Sequence, residues 1–157
     1  MKAAIFTGAG LGDGLIMMLA AKAFQDEGYE VVIFNDYLET LFEWCDRFLI
    51  KKRPAVVDYA ATFHNYDTII IHHENSERAE KLAQYARKHA TTYVFYNNYQ
   101  KTKHPPLTSN DFALNNDKPM LQTLADALSK IFNKPITKDI GLRLPKREKH
   151  FPKRIVV

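Results

Sequence analysis

The sequence predicts an α/β fold organised around a doubly wound parallel sheet. Two observations lead there. Short apolar runs alternate with helical periodicities along the chain, and the runs are uninterrupted rather than alternating with polar residues. Uninterrupted runs suit strands covered on both faces, as parallel strands are. Strand–helix alternation implies right-handed βαβ crossovers, which build such a sheet.

The elements follow in order. Lys2 to Thr7 is a short apolar strand closed by glycine, and Gly14 to Glu27 is helical with Gly28 as its C-cap. Glu30 to Asn35, with Val31-Val32-Ile33-Phe34, is the second strand. Leu38 to Trp44 forms a short helix, and Phe48-Leu49-Ile50 a short strand that runs into Lys51-Lys52-Arg53-Pro54. A helix over Ala55 to Phe63 leads to the strand Asp67 to His72. Ser76 to His89 places Ala79, Leu82, Ala83 and Ala86 on one stripe, an amphipathic helix. Thr91 to Phe95 is a further strand, and Lys118 to Phe132 the last helix. Between them, Tyr96 to Asp117 is polar and without periodicity, a long loop of the functional or mobile kind. The first helix is apolar around its circumference from Leu15 to Ala21. Such a helix is either buried centrally by its neighbours or turned in part towards another domain.

Composition narrows the function classes. The chain of 157 residues, 46% hydrophobic and 25% charged, has the make-up of one ordinary globular domain. A lone cysteine, Cys45, excludes an internal disulfide and a cysteine zinc cluster, and fits a reducing compartment. No apolar run reaches the roughly 18 residues of a membrane span, and the start is broken by glycine too early for a signal peptide. A cytoplasmic protein is expected. The net charge of +4 is concentrated in one place: Arg143, Lys146, Arg147, Lys149, Lys153 and Arg154 face only Glu148 between Leu142 and Val157. The rest is close to neutral, so the tail reads as a solvated linker, with no nucleic-acid partner.

Ligands of doubly wound sheets bind beyond the carboxyl ends of the strands. That rule gathers Gly8–Gly14, Asn35–Asp36, Lys51–Arg53, His72–Glu74 and Tyr96–Tyr99 into one candidate site. Its densest signal is Thr7-Gly8-Ala9-Gly10-Leu11-Gly12-Asp13-Gly14, where glycines allow close backbone approach and a helix offers free amides. A dinucleotide fingerprint, G-x-G-x-x-G/A, does not fit. Counting six from Gly8, Gly10 or Gly12 ends on Asp13, Leu15 or Met17. Asp36 nevertheless stands where a ribose-binding acid would, which keeps a nucleotide- or dinucleotide-binding module as the alternative. The phosphate loop of nucleotide hydrolases is absent. Asp13 reads as a helix N-cap, as a carboxylate aimed into the cleft that accepts a proton from a hydroxyl, or as both.

Other groups have bland readings beside the functional ones. Lys51, Lys52 and Arg53 are a solvated turn or contacts to an anionic acceptor. His72, His73 and Glu74 suggest a metal, but adjacent strand residues point to opposite faces, so no metal site is expected. One of the two histidines can instead line the cleft. Tyr93, Phe95, Tyr96, Asn97, Asn98 and Tyr99 mix aromatics with amides, which suits a sugar ring, although half of them serve the strand core. Phe42 and Trp44 are packing.

The glycine turn, then Gly12-Asp13, then an apolar helix directly after an amino-terminal strand, resembles the opening of the heptosyltransferase-type (family 9) glycosyltransferases. Cys45-Asp46-Arg47-Phe48-Leu49-Ile50 is similar to that family's third strand and Tyr66-Asp67-Thr68-Ile69-Ile70-Ile71 to its fourth. Pro119 to Phe132 with Gly141-Leu142-Arg143-Leu144-Pro145 resembles its pre-linker helix and linker. Lys153 to Val157 is similar to the first strand of its second domain. The resemblance implies a Rossmann-like domain over residues 1–140, the first half of a GT-B glycosyltransferase, followed at 141–157 by a linker and the start of a second domain. It implies an inverting transfer with Asp13 as base and no cofactor. The acceptor, a lipopolysaccharide-type or other glycan or glycolipid, would meet Gly10, Leu11, Gly12, Gly14, Lys51, Lys52, Arg53, His72 and Asn97. The nucleotide-sugar donor, such as ADP-heptose, would bind the second half, without which the chain is expected to be inactive. Membrane association would be peripheral at most, at the inner face of the cytoplasmic membrane. A non-catalytic remnant of the fold is the remaining alternative.

Overall fold

A computed structural model describes residues 1–44 and 46–143. The elements are β1 (Lys2–Phe6), α1 (Leu11–Asp26), β2 (Glu30–Phe34), a 3-10 segment (Leu38–Trp44), β3 (Leu49–Lys51), a 3-10 turn (Val56–Asp58), α2 (Tyr59–Phe63), β4 (Thr68–His73), α3 (Glu77–Ala86), β5 (Thr91–Tyr96), β6 (Asp111–Ala113) and α4 (Met120–Phe132). The six strands form one sheet in the order β3-β2-β1-β4-β5-β6, and every pairing is parallel. The fold is the α/β, Rossmann-like, doubly wound sheet expected. Cys45, the basic tail from 144 onwards and the strand expected at Lys153 to Val157 lie outside the described residues.

The period of two along each strand divides the core into two layers. Ile5, Ile33, Ile70 and Phe95 face α1 and α4. Phe6, Phe34, Ile69, Ile71 and Tyr96 face α2 and α3. Both layers are dry: Phe6 stacks on Phe34 with ring centroids 4.6 Å apart, and Phe24 of α1 meets Phe132 of α4 edge-on at 4.9 Å.

The all-round apolarity of α1 has its explanation in that second contact. Met17, Met18, Leu19, Ala20 and Ala21 are all buried within this chain, between the sheet and α4. The central-helix reading holds for them, and no second domain is needed to account for their apolarity.

Two expectations are corrected. The long loop from Tyr96 to Asp117 is not irregular throughout, because Asp111–Ala113 adds a sixth parallel strand beside β5. The intervening segment is the crossover that any parallel pair requires, made here without a helix. Asp111, with its side chain 1% exposed, fixes the strand by pairing with Arg87 at the end of α3 at 2.7 Å. Helix α1 also starts three residues earlier than Gly14. Its N-cap is Gly10, so Asp13 is the third residue of the helix rather than its cap.

Candidate functional site

The strand order reverses direction at β1, with β2 and β3 on one side and β4 to β6 on the other. Crevices at such switch points are where doubly wound sheets hold ligands. Here the crevice lies between the glycine loop after β1 and residues 72–74 at the end of β4.

Asp13 sits in this crevice, its side chain 31% exposed. Its Oδ2 accepts the Gly10 N–H at 3.0 Å, so the carboxylate satisfies an orphan amide from inside the helix. Glu74 does the same from the opposite bank, accepting the Ala9 N–H at 2.5 Å. Gly8 lies between the two acids. A Cβ there would meet Asp13 Oδ2 and Glu74 Oε2 at 2.7 Å each, so only glycine leaves both carboxylates in place.

The loop is anchored from the β2 side by Asn35, which is completely buried. Its Nδ2 donates to Thr7 Oγ1 at 2.7 Å and Gly10 O at 3.2 Å. Its Oδ1 accepts from Tyr37 N and Leu38 N, each at 2.8 Å. One amide thus uses donors and acceptor together, tying β1, the glycine loop and the 3-10 segment to the end of β2. Gly14 makes room for it, because a Cβ at that position would meet Asn35 Nδ2 at 2.8 Å.

The bank beyond β3 and β4 is ionic. Arg53 donates its backbone N–H to Asp36 at 3.1 Å and its Nε to Asp36 Oδ2 at 2.8 Å, while Nη1 lies 3.8 Å from Glu74 Oε1. Burial pushes the Asp36 carboxyl up, but the Arg53 bonds outweigh it and hold the group below the usual carboxylate range. Asp36 is therefore engaged where a ribose acid would have to be free, and the Arg53 guanidinium, 12% exposed, is engaged with it.

The histidines separate as strand geometry requires. His72 turns towards Asp13, with Nδ1 3.6 Å from Oδ1. His73 turns towards α3, where Nε2 lies 3.2 Å from Glu80 Oε2 and Nδ1 accepts the Asn75 N–H. Burial pushes both imidazoles below their usual range, against the opposing pull of Asp13 and Glu74 on His72 and of Glu80 on His73. His72 is 2% exposed, so it lies beneath the crevice floor rather than on it.

Of the remaining expected positions, Leu11 and Gly12 are exposed at the crevice mouth, and nothing among the described residues lies within 4 Å of a Cβ built on Gly12. Lys51 and Lys52 are exposed at the edge strand, two strands from β1. Asn97 extends the β4–β5 ladder through its N–H to His73 O at 3.2 Å. The structure thus brings Gly10, Asp13 and His72 together and leaves the lysines apart from them. Glu74 and Asn35 are the partners whose roles the sequence did not reveal. Their one signal was position, immediately after a strand at the switch point.

No known family profile matches the chain, and no curated protein matches it. Solved structures do. The E. coli heptosyltransferase WaaC with ADP-2-deoxy-2-fluoro heptose superposes with a TM-score of 0.52 at 12% identity, covering 90% of this chain and 51% of that one. The same enzyme with ADP gives a TM-score of 0.54 at 12% identity, with coverages of 90% and 50%. The fold is therefore heptosyltransferase-like, of the GT-B kind, and the chain spans about half the length of these structures.

Proposed function

We propose that the chain is the acceptor-binding half of an inverting glycosyltransferase that moves a sugar from a nucleotide-sugar donor to a lipopolysaccharide-type or other glycan acceptor. The observation that carries this reading is Asp13, a carboxylate held by Gly10 N–H at the switch-point crevice and still open to it. In the reaction, the acceptor O–H proton passes to Asp13 as the oxygen bonds the anomeric carbon. The bond from that carbon to the donor phosphate breaks, and the nucleoside diphosphate leaves with its electron pair. Leu11, Gly12, Lys51, Lys52 and Asn97 would receive the acceptor at the exposed rim, with Gly10 and Gly14 shaping the loop beneath. Arg53 and His72 would act from below.

The likeness to structures of a heptosyltransferase holding ADP and an ADP-sugar supports a donor of that class, bound by a second half. A pyrophosphate at the glycine loop itself is disfavoured. The Ala9 and Gly10 amides that would cradle it already serve Glu74 and Asp13, two like charges. No helix among the described residues is long and apolar enough to cross a membrane.

The test is Asp13→Asn in a protein carrying both halves. The substitution keeps the side chain's shape and its acceptor oxygen for Gly10. Turnover should fall roughly 10²–10⁴-fold, the usual worth of positioned proton transfer, with acceptor KM little changed. Near-normal turnover would show that Asp13 serves only the helix start.

A further inference from the structure

His72 is an uneconomical residue if its task is packing. It is 2% exposed, and both ring nitrogens are buried without a hydrogen-bond partner among the described residues. A buried polar atom left unpaired carries a desolvation cost that an apolar ring of the same size would avoid. The charged groups that act on it are the carboxylates of Asp13, from α1, and Glu74, from the turn after β4. Burial outweighs the pull of the two carboxylates and keeps the ring neutral, with a proton on one nitrogen only.

The geometry on the Asp13 side is incomplete in one respect. Oδ2 has a donor, Gly10 N–H at 3.0 Å, whereas among the described residues Oδ1 has only His72 Nδ1 at 3.6 Å, just beyond hydrogen-bond reach. Bonds of this kind are often long before substrate binds and close in the reacting complex. We propose that His72 is the positioning residue of Asp13: its Nδ1–H closes on Oδ1 when the acceptor is seated, so that both carboxylate oxygens are fixed and the free lone pair faces the acceptor hydroxyl. The proposal rests on Asp13 being the base. No proton is transferred through His72. The acceptor's proton goes to Asp13, and the imidazole keeps its own.

Nitrogen-15 NMR of the His72 ring in the 157-residue chain tests the pairing without activity. At neutral pH the ring should be neutral with its proton on Nδ1. In Asp13→Asn, which removes a charge that favours the imidazolium, it should titrate at lower pH than in the wild type. A wild-type ring protonated on Nε2, or a midpoint indifferent to Asp13, overturns the proposal. Two variants give the second arm. His72→Phe fills the ring's volume and deletes the unmet nitrogens, so the melting temperature should hold or rise. Turnover in the two-half protein should nonetheless drop roughly 10–100-fold, the scale of a misplaced reacting group. His72→Asn returns an N–H close to the Nδ1 position and should recover most of that loss. A space-filling role requires the reverse order, with Phe harmless and Asn harmful. If Asp13→Asn abolishes turnover while the NMR pairing is absent, only the His72 proposal falls. If Asp13→Asn leaves turnover intact, the base reading falls and positioning falls with it, whatever the spectrum shows.

Discussion

Gly14→Ala sets helix propensity against packing, and the two predict opposite signs. Gly14 lies in the first turns of α1, where alanine is the better helix former by about 1 kcal/mol. Its new methyl, however, would stand 2.8 Å from Asn35 Nδ2, 2.8 Å from Leu38 Cγ and 2.9 Å from Asn35 Cγ. Neither neighbour can swing into solvent, since both are fully buried. Overpacking of this kind costs about 1–3 kcal/mol. Displacing Asn35 also strips at least one buried hydrogen bond, which adds about 1–3 kcal/mol. Subtracting the propensity gain leaves a net loss of about 3 kcal/mol, and not less than about 1 kcal/mol. Urea unfolding of the chain reads this directly as a lower midpoint at unchanged slope. A midpoint equal to or above that of the wild type would show that the amide is not wedged against the helix, and the account of the loop's anchorage would be wrong.

Arg87→Ala should cost about 2–4 kcal/mol, because it leaves the buried Asp111 carboxylate without its counter-ion and with the Thr108 N–H still bonded, Arg87's own exposure reducing the loss. The damage should be local, seen as faster amide exchange at Phe112 than at Ile70. Stability should also fall on acidification from pH 7. His72 and His73 have folded pKa values below their unfolded ones, so the unfolded chain takes up protons first. Stability is full above the ordinary imidazole value of about 6.5 and declines as pH drops through it. His73→Phe should flatten that slope in a series of urea titrations at stepped pH, and an unchanged slope would place the proton uptake elsewhere.

The sheet was legible where burial is two-sided. Val31-Val32-Ile33-Phe34 and Thr68-Ile69-Ile70-Ile71 have no polar alternation because each face meets helices. β6 was not legible, because Asp-Phe-Ala has no strand signature of its own and takes its place through Arg87, a residue 24 positions away. Asp13 could be singled out from its place after the glycines, but the helix start could not be fixed. An acid at the third helical position bonds back to the cap amide, and in sequence it is indistinguishable from an acid at the cap. The environment of His72 was hidden altogether. Sequence placed it at a strand end, whereas the structure buries its ring beneath the first turn of α1, beside Asp13.

The anchoring of the glycine loop has a mechanical consequence. On the β2 side it hangs from the neutral, dry bonds of Asn35, which neither salt nor pH weakens in the working range. On the β4 side it leans on Glu74 and, through it, on Arg53 and Asp36, all of them partly wetted charges. The crevice accordingly has one stiff wall and one compliant wall. Ionic strength weakens the contacts of the Glu74 wall and leaves those of the Asn35 wall as they are.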